Sequence, residues 1–165
     1  MQKIFTFKKI NLLGALISFF LIMSAIFIQT QYNLEPCPLC ITQRIIFIII
    51  GCVFLSFAFF KVTKLIKVTH LILLISINFV GVIFSVRHIL IQSRWIEVPA
   101  ECGIDLDYMF DNFPLNEALN LLFQGAGDCS QIDWVMFGVT LPQLALIWYL
   151  IFIILTIFTY KKVFA

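Results

Sequence analysis

The chain has 165 residues and is 62% hydrophobic and only 12% charged, with a mean hydropathy of +1.05. A soluble domain of this size leaves too much surface in water to absorb that excess, and a disordered chain would be polar and charged instead. The net charge of +2 comes from eleven basic residues scattered among 19 Phe, which makes no basic groove and excludes a nucleic-acid partner. The composition is that of an integral membrane protein, a single membrane domain over 1–165.

Four apolar runs are long enough to cross a bilayer, at 10–28, 41–60, 68–86 and 139–160. Each has about 18–22 residues, which at about 1.5 Å per residue matches a hydrocarbon layer of about 30 Å. The expected fold is an all-α bundle of four transmembrane helices. Barrel strands are excluded, because they alternate in polarity over about ten residues.

The charges orient the spans. Lys3, Lys8, Lys9, Lys61, Lys64, Lys67, Lys161 and Lys162 fall before span one, between spans two and three, and after span four, with no acid among them. All nine acids lie in segments 29–40 and 87–138. The positive-inside rule predicts cytoplasmic termini and two outward loops. The first span follows a basic start but lacks a small-residue cleavage site, so it is expected to remain as an anchor. In the long outer loop, Leu115, Ala118, Leu119 and Leu122 recur at helical spacing after Pro114, and Gly125 ends the pattern. A short amphipathic helix is expected there, lying on the membrane surface or packed on the spans.

Topology sorts the five cysteines. Cys37 and Cys40 form a C-x-x-C at the mouth of span two, Cys102 and Cys129 lie in the long outer loop, and Cys52 sits inside span two. Cys52 reads as a small apolar side chain. Three chemistries compete for the other four, all on the side where disulfides persist. Structural bridging makes little of a Cys37–Cys40 pair, because closing so short a loop removes little chain entropy. A metal site usually needs two close pairs, and only one is close here. Redox exchange suits a C-x-x-C at a helix start, where free N–H groups and the helix dipole favour the thiolate.

Arg44 falls one turn beyond Cys40 on the same helix face, a costly place for a charge in lipid. Beside a thiol that must ionise, a fixed cation has an electrostatic task, and it can hydrogen-bond a cofactor carbonyl. His88 follows Arg87 at the outer end of span three and is a candidate proton carrier. His70 reads as interfacial, Asn78 as an interhelical hydrogen-bond donor, and Trp95, Trp134, Trp148 and Tyr160 as membrane-belt anchors. No haem, flavin or nucleotide signature is visible, so a lipid-soluble electron acceptor fits best.

The run Cys37-Pro38-Leu39-Cys40-Ile41-Thr42-Gln43-Arg44 resembles the first redox loop of the DsbB family of bacterial inner-membrane disulfide bond formation proteins. Arg87-His88-Ile89-Leu90-Ile91-Gln92 is similar to the end of that family's third span. Pro99-Ala100-Glu101-Cys102-Gly103 and Gly127-Asp128-Cys129 resemble its second redox loop, and Trp134, Gly138 and Pro142-Gln143 the start of its fourth span. The resemblance implies a quinone-linked thiol oxidase (ubiquinone or menaquinone) with periplasmic redox loops, whose partner is a periplasmic DsbA-like thioredoxin-fold oxidase. It implies that Cys102, paired with Cys129, meets the partner. Electrons then reach Cys37–Cys40, through a transient Cys37–Cys129 bond, and Cys40 faces a quinone site lined by Arg44 and His88. A vitamin K epoxide reductase type of quinone reductase shares this chemistry but places its C-x-x-C elsewhere along the spans. A non-enzymatic scaffold with structural cysteines is the other alternative.

Overall fold

The computed structural model describes residues 2–34, 36–60, 63–98, 114, 116, 123, 125, 127–132 and 134–164. Four long helices dominate it: α1 (Gln2–Tyr32), α2 (Pro38–Phe59), α3 (Lys64–Gln92) and α4 (Leu141–Phe164). All four are long and apolar enough to cross a membrane. Each extends past its predicted span at one end or both, because a helix continues into the headgroup region wherever its backbone bonds stay closed. The exceptions are the end of span two, where Phe60 is the extended C-cap, and the start of span four, where Val139–Thr140 is a strand and the helix begins only at Leu141.

That strand, β2, pairs with β1 (Val135–Met136) in a minimal antiparallel hairpin. Its two turn residues, Phe137 and Gly138, have φ values of 51° and 84°, the left-handed pair that closes a two-residue hairpin. A 3-10 turn, Gly127–Ser130, carries Cys129. The predicted helix after Pro114 falls almost wholly outside the described residues. Phe123 is described, and it packs on α3, with its ring 5.5 Å from Phe84 and under the Arg87 guanidinium at 4.7 Å.

α1 packs along α2 and α3 along α4, while α2 meets α3 and α1 meets α4, closing a four-membered ring. Lipid tails are as apolar as leucine, so close packing and hydrogen bonds hold these helices together more than hydrophobic transfer does. The seams show this. Gly81 of α3 admits the Tyr149 ring so closely that a methyl group there would come within 2.5 Å of it. Tyr149 in turn stacks on Phe47 at 4.4 Å and donates its hydroxyl to the Gln43 carbonyl at 3.0 Å, joining α4 to α2. Ser18 of α1 donates to the Phe47 carbonyl at 2.7 Å.

Two polar side chains differ from expectation. Asn78 donates back to Leu74 of its own helix at 2.8 Å and, among the described residues, not across to another helix. His70 is 3% exposed, enclosed by the rings of Phe7, Phe54 and Phe57 at 5.2, 5.9 and 4.9 Å. It is a core residue of the bundle's lysine-bearing end, held among aromatic rings that cover it from water.

Candidate redox site

The start of α2 builds the centre of the site. Cys37 is the N-cap residue in an extended conformation, and Pro38 follows in the first turn, where its missing N–H costs nothing. Cys37 Sγ accepts the amide of Cys40 at 3.4 Å, so a sulfur does the capping that serine oxygen does elsewhere. One turn brings the two sulfurs to 3.2 Å, with Cys37 donating to Cys40, and both are free thiols. A disulfide requires the two sulfurs to approach from 3.2 Å to about 2.05 Å.

Two further residues from distant elements complete the cluster. His88 on α3 sets its Nε2 3.8 Å from Cys37 Sγ. Cys129 reaches the same spot from the 3-10 turn, and its sulfur lies within 4.8 Å of both Cys37 Sγ and the His88 ring nitrogen. Gln92 at the end of α3 holds this segment in place by donating to the Gln131 carbonyl at 3.3 Å. Leu39 and Ile91 are buried around the sulfurs. Hydrogen bonds to Cys129 and Cys40, together with burial, push the Cys37 thiol up from its ordinary value.

Arg44 lies on the Cys40 face of α2, as its spacing predicts, and donates to Gln29 Oε1 of α1. Beside it a cavity of about 400 Å³ opens between α1, α2, the hairpin and α4. Cys40 and Arg44 sit at one end of its wall, with Gln43, Phe47, Trp134 and Trp148 among the rest. The volume is that of a ligand site, and a mostly apolar lining with a few convergent polar groups suits a flat lipid-soluble ring. A smaller cavity of about 40 Å³ is lined by Cys37, Cys40, Arg44 and His88. Cys40 and Arg44 thus face both spaces, whereas His88 borders only the smaller one.

Cys102 lies outside the described residues. Cys52 is exposed on the outside of α2, away from the cluster. Two contributors escape sequence reasoning: Gln29, which orients Arg44, and Trp134, which walls the cavity from the loop. A polar Gln29-Thr30-Gln31 run at the end of an apolar helix was the available signal for the first. Trp134 reads equally well as a belt anchor.

The family model for disulfide bond formation protein DsbB matches residues 7–159 of the chain. Among curated proteins, disulfide bond formation protein B of Methylobacillus flagellatus is 44% identical over 146 residues, 88% of each chain. The protein of the same name from Methylococcus capsulatus is 37% identical over 84% of this chain and 85% of its own. The one from Nitrosococcus oceani is 35% identical over 84% of this chain and 82% of its own. No solved structure matches.

Proposed function

The chain belongs to the DsbB family of disulfide bond formation proteins, disulfide oxidoreductases of bacterial membranes, and we propose that it passes electrons from a periplasmic DsbA-type oxidase to a membrane quinone. The observation that carries this reading is the meeting of three sulfurs from two loops, Cys37, Cys40 and Cys129, of which Cys40 also lines a quinone-sized apolar cavity.

The chemistry is thiol–disulfide exchange, in which each thiolate attacks one sulfur of a disulfide and releases the other. A partner thiolate attacks Cys102 of a Cys102–Cys129 disulfide and frees Cys129. The partner's second thiol resolves the mixed disulfide, so the partner leaves oxidised and Cys102 leaves as a thiol. Cys129 attacks Cys37 of the Cys37–Cys40 disulfide and releases Cys40; Cys102 then attacks Cys129, restoring its bond and freeing Cys37. Two electrons have moved from the partner to the pair on α2. A quinone in the larger cavity supplies the two-electron, two-proton acceptor that restores the Cys37–Cys40 bond. Cys40 borders that cavity, Arg44 is placed to favour both its thiolate and a carbonyl oxygen gaining negative charge, and the Phe47 and Trp148 rings offer flat surfaces. The lysine distribution supports cytoplasmic termini and periplasmic loops 29–40 and 87–138.

The test uses the full chain in detergent with a reduced DsbA-type protein and a short-chain ubiquinone or menaquinone. Partner oxidation should require quinone and vanish when Cys37, Cys40, Cys102 or Cys129 is replaced singly by Ala, while Cys52→Ala retains it. Normal turnover in any of the four variants would defeat the two-pair relay.

A further inference from the structure

We propose that the fully reduced protein holds a thiophilic divalent cation of the zinc class in the cluster of Cys37, His88, Cys129 and Cys40, and that forming the Cys37–Cys40 disulfide abolishes the site. Three of the ligand atoms, from Cys37, His88 and Cys129, form one close group, and Cys40 adjoins it through Cys37. A tetrahedral zinc ion, with bonds of about 2.3 Å to sulfur and about 2.0 Å to nitrogen, sets its ligand atoms about 3.5–3.8 Å apart. Cys37 Sγ and His88 Nε2 are 3.8 Å apart, Cys37 Sγ and Cys40 Sγ 3.2 Å, and the Cys37, His88 and Cys129 ligand atoms all lie within 4.8 Å of one another. Each of the first three side chains is buried, with exposures of 7% for Cys37, 1% for His88 and 0% for Cys129.

The ligand chemistry agrees. Three sulfurs and one imidazole are a common zinc set, and two of the sulfurs come from a C-x-x-C at a helix start. The cavity of about 40 Å³ against Cys37, Cys40 and His88 has room for an ion that has shed its water. Three thiolates leave a zinc site with one net negative charge, and the Arg44 guanidinium on the wall of the same cavity offsets it. Binding exchanges three thiol protons for the cation and moves no electrons.

The redox dependence follows from the same contacts. Oxidation joins Cys37 to Cys40 and removes two ligands at once, leaving one sulfur and one imidazole. A cation bound to the reduced state therefore competes with the exchange reactions for the same sulfurs, and zinc acts as an inhibitor that the disulfide state escapes.

The full chain in detergent, reduced with a phosphine and freed of excess reductant without air, is mixed with Zn²⁺ and passed through a sizing column. Elemental analysis should find one zinc per chain in the reduced protein and none in the disulfide form. Cys37→Ser, Cys129→Ser and His88→Ala should each weaken retention at least tenfold, and Cys52→Ala should not. Co²⁺ in place of Zn²⁺ reads the coordination directly in the unaltered chain. It should give the visible bands of a tetrahedral site and a thiolate-to-cobalt absorption that loses about a third of its intensity in Cys40→Ser. Absence of retained zinc in the reduced protein, equal retention in the disulfide form, or an octahedral cobalt spectrum would overturn the proposal. None of these readouts depends on turnover with quinone.

Discussion

Arg44 of α2 donates to Gln29 Oε1 of α1, so the guanidinium at the end of the larger cavity is anchored across a helix seam. An anchored planar fork keeps its remaining donors aimed at one place, which a flexible ammonium does not do. Arg44→Gln should therefore raise the quinone concentration for half-maximal rate by about tenfold, worth about 1.4 kcal/mol, with partner exchange unchanged. Arg44→Lys should recover part of the loss, and Gln29→Ala should show a smaller loss of the same kind. Stopped-flow kinetics with each substrate varied separately decides it. Slower partner exchange with unchanged quinone dependence would move Arg44 out of the quinone site.

Tyr149 and Gly81 test how the bundle is held. A methyl group at 81 meets the ring at 2.5 Å, and the ring has no freedom to yield because it is stacked on Phe47. Gly81→Ala should cost about 1–3 kcal/mol of stability, the usual range for an overpacked core. Tyr149→Phe keeps the stacking and loses only the bond to the Gln43 carbonyl, so about 0.6 kcal/mol is expected. Thermal midpoints in one detergent compare them; a Gly81→Ala protein as stable as the parent would mean that α3 and α4 are not packed in this register.

Much of this arrangement is legible along the chain because it is local. The spans follow from apolar length, and the placement of Cys37, Cys40 and Arg44 on one helix start follows from spacing by three and four. What is not legible depends on how loops return. Cys129 approaches Cys37 because a 3-10 turn is held against the end of α3, and no periodicity encodes that. His88 faces Cys37 from α3, a different helix with its own rotation. The hairpin before α4 lies within a stretch whose hydropathy is already that of a span. Only the Phe137-Gly138 turn marks it.

His70 offers a prediction in the opposite direction from most core changes. Its ring sits among three phenylalanines, and its Nε2 has no hydrogen-bond partner among the described residues. A buried polar atom left unsatisfied costs about 1–3 kcal/mol, which an apolar ring of similar size does not incur. His70→Phe should keep or raise the thermal midpoint and leave quinone kinetics as they are, whereas His70→Ala should lower the midpoint through the cavity it leaves. A clear drop in stability with Phe would reveal a polar role for this histidine.

Gly138 separates backbone strain from crowding. Its φ is 84°, and among the described residues beyond its chain neighbours nothing lies within 4 Å of where a Cβ would stand. Gly138→Ala therefore introduces no clash, and its cost of about 1–2 kcal/mol is the left-handed backbone alone. Trp134 and Met136, beside and on the hairpin, wall the larger cavity, so the same change should also weaken quinone binding. Phe137, 99% exposed and also at positive φ, should tolerate Asn with no loss of stability, because Asn-Gly is the preferred pair in such a turn. Equal thermal midpoints for Gly138→Ala and the parent would argue against the hairpin.

The last prediction concerns the bond between loops that the relay requires. Cys37 and Cys129 are 92 positions apart in sequence, yet their sulfurs lie within 4.8 Å, close enough to bond after small side-chain rotations. Each has a competing mate, Cys40 for the first and, in the proposed relay, Cys102 for the second. Removing both competitors, as in the double variant Cys40→Ala with Cys102→Ala, leaves the interloop pair as the shortest route to oxidation. Mild oxidation of that variant should give one intramolecular disulfide between Cys37 and Cys129, found by peptide mapping and by a mobility shift that reductant reverses. Cys52 stays reduced, since it faces outward from α2. Adding His88→Ala should leave the bond able to form, because Gln92 still ties the Cys129 segment to α3 through the Gln131 carbonyl. Oxidation that instead joins chains to one another would mean that the two sulfurs do not meet within one molecule, and electrons would need another route from the outer loop to Cys40.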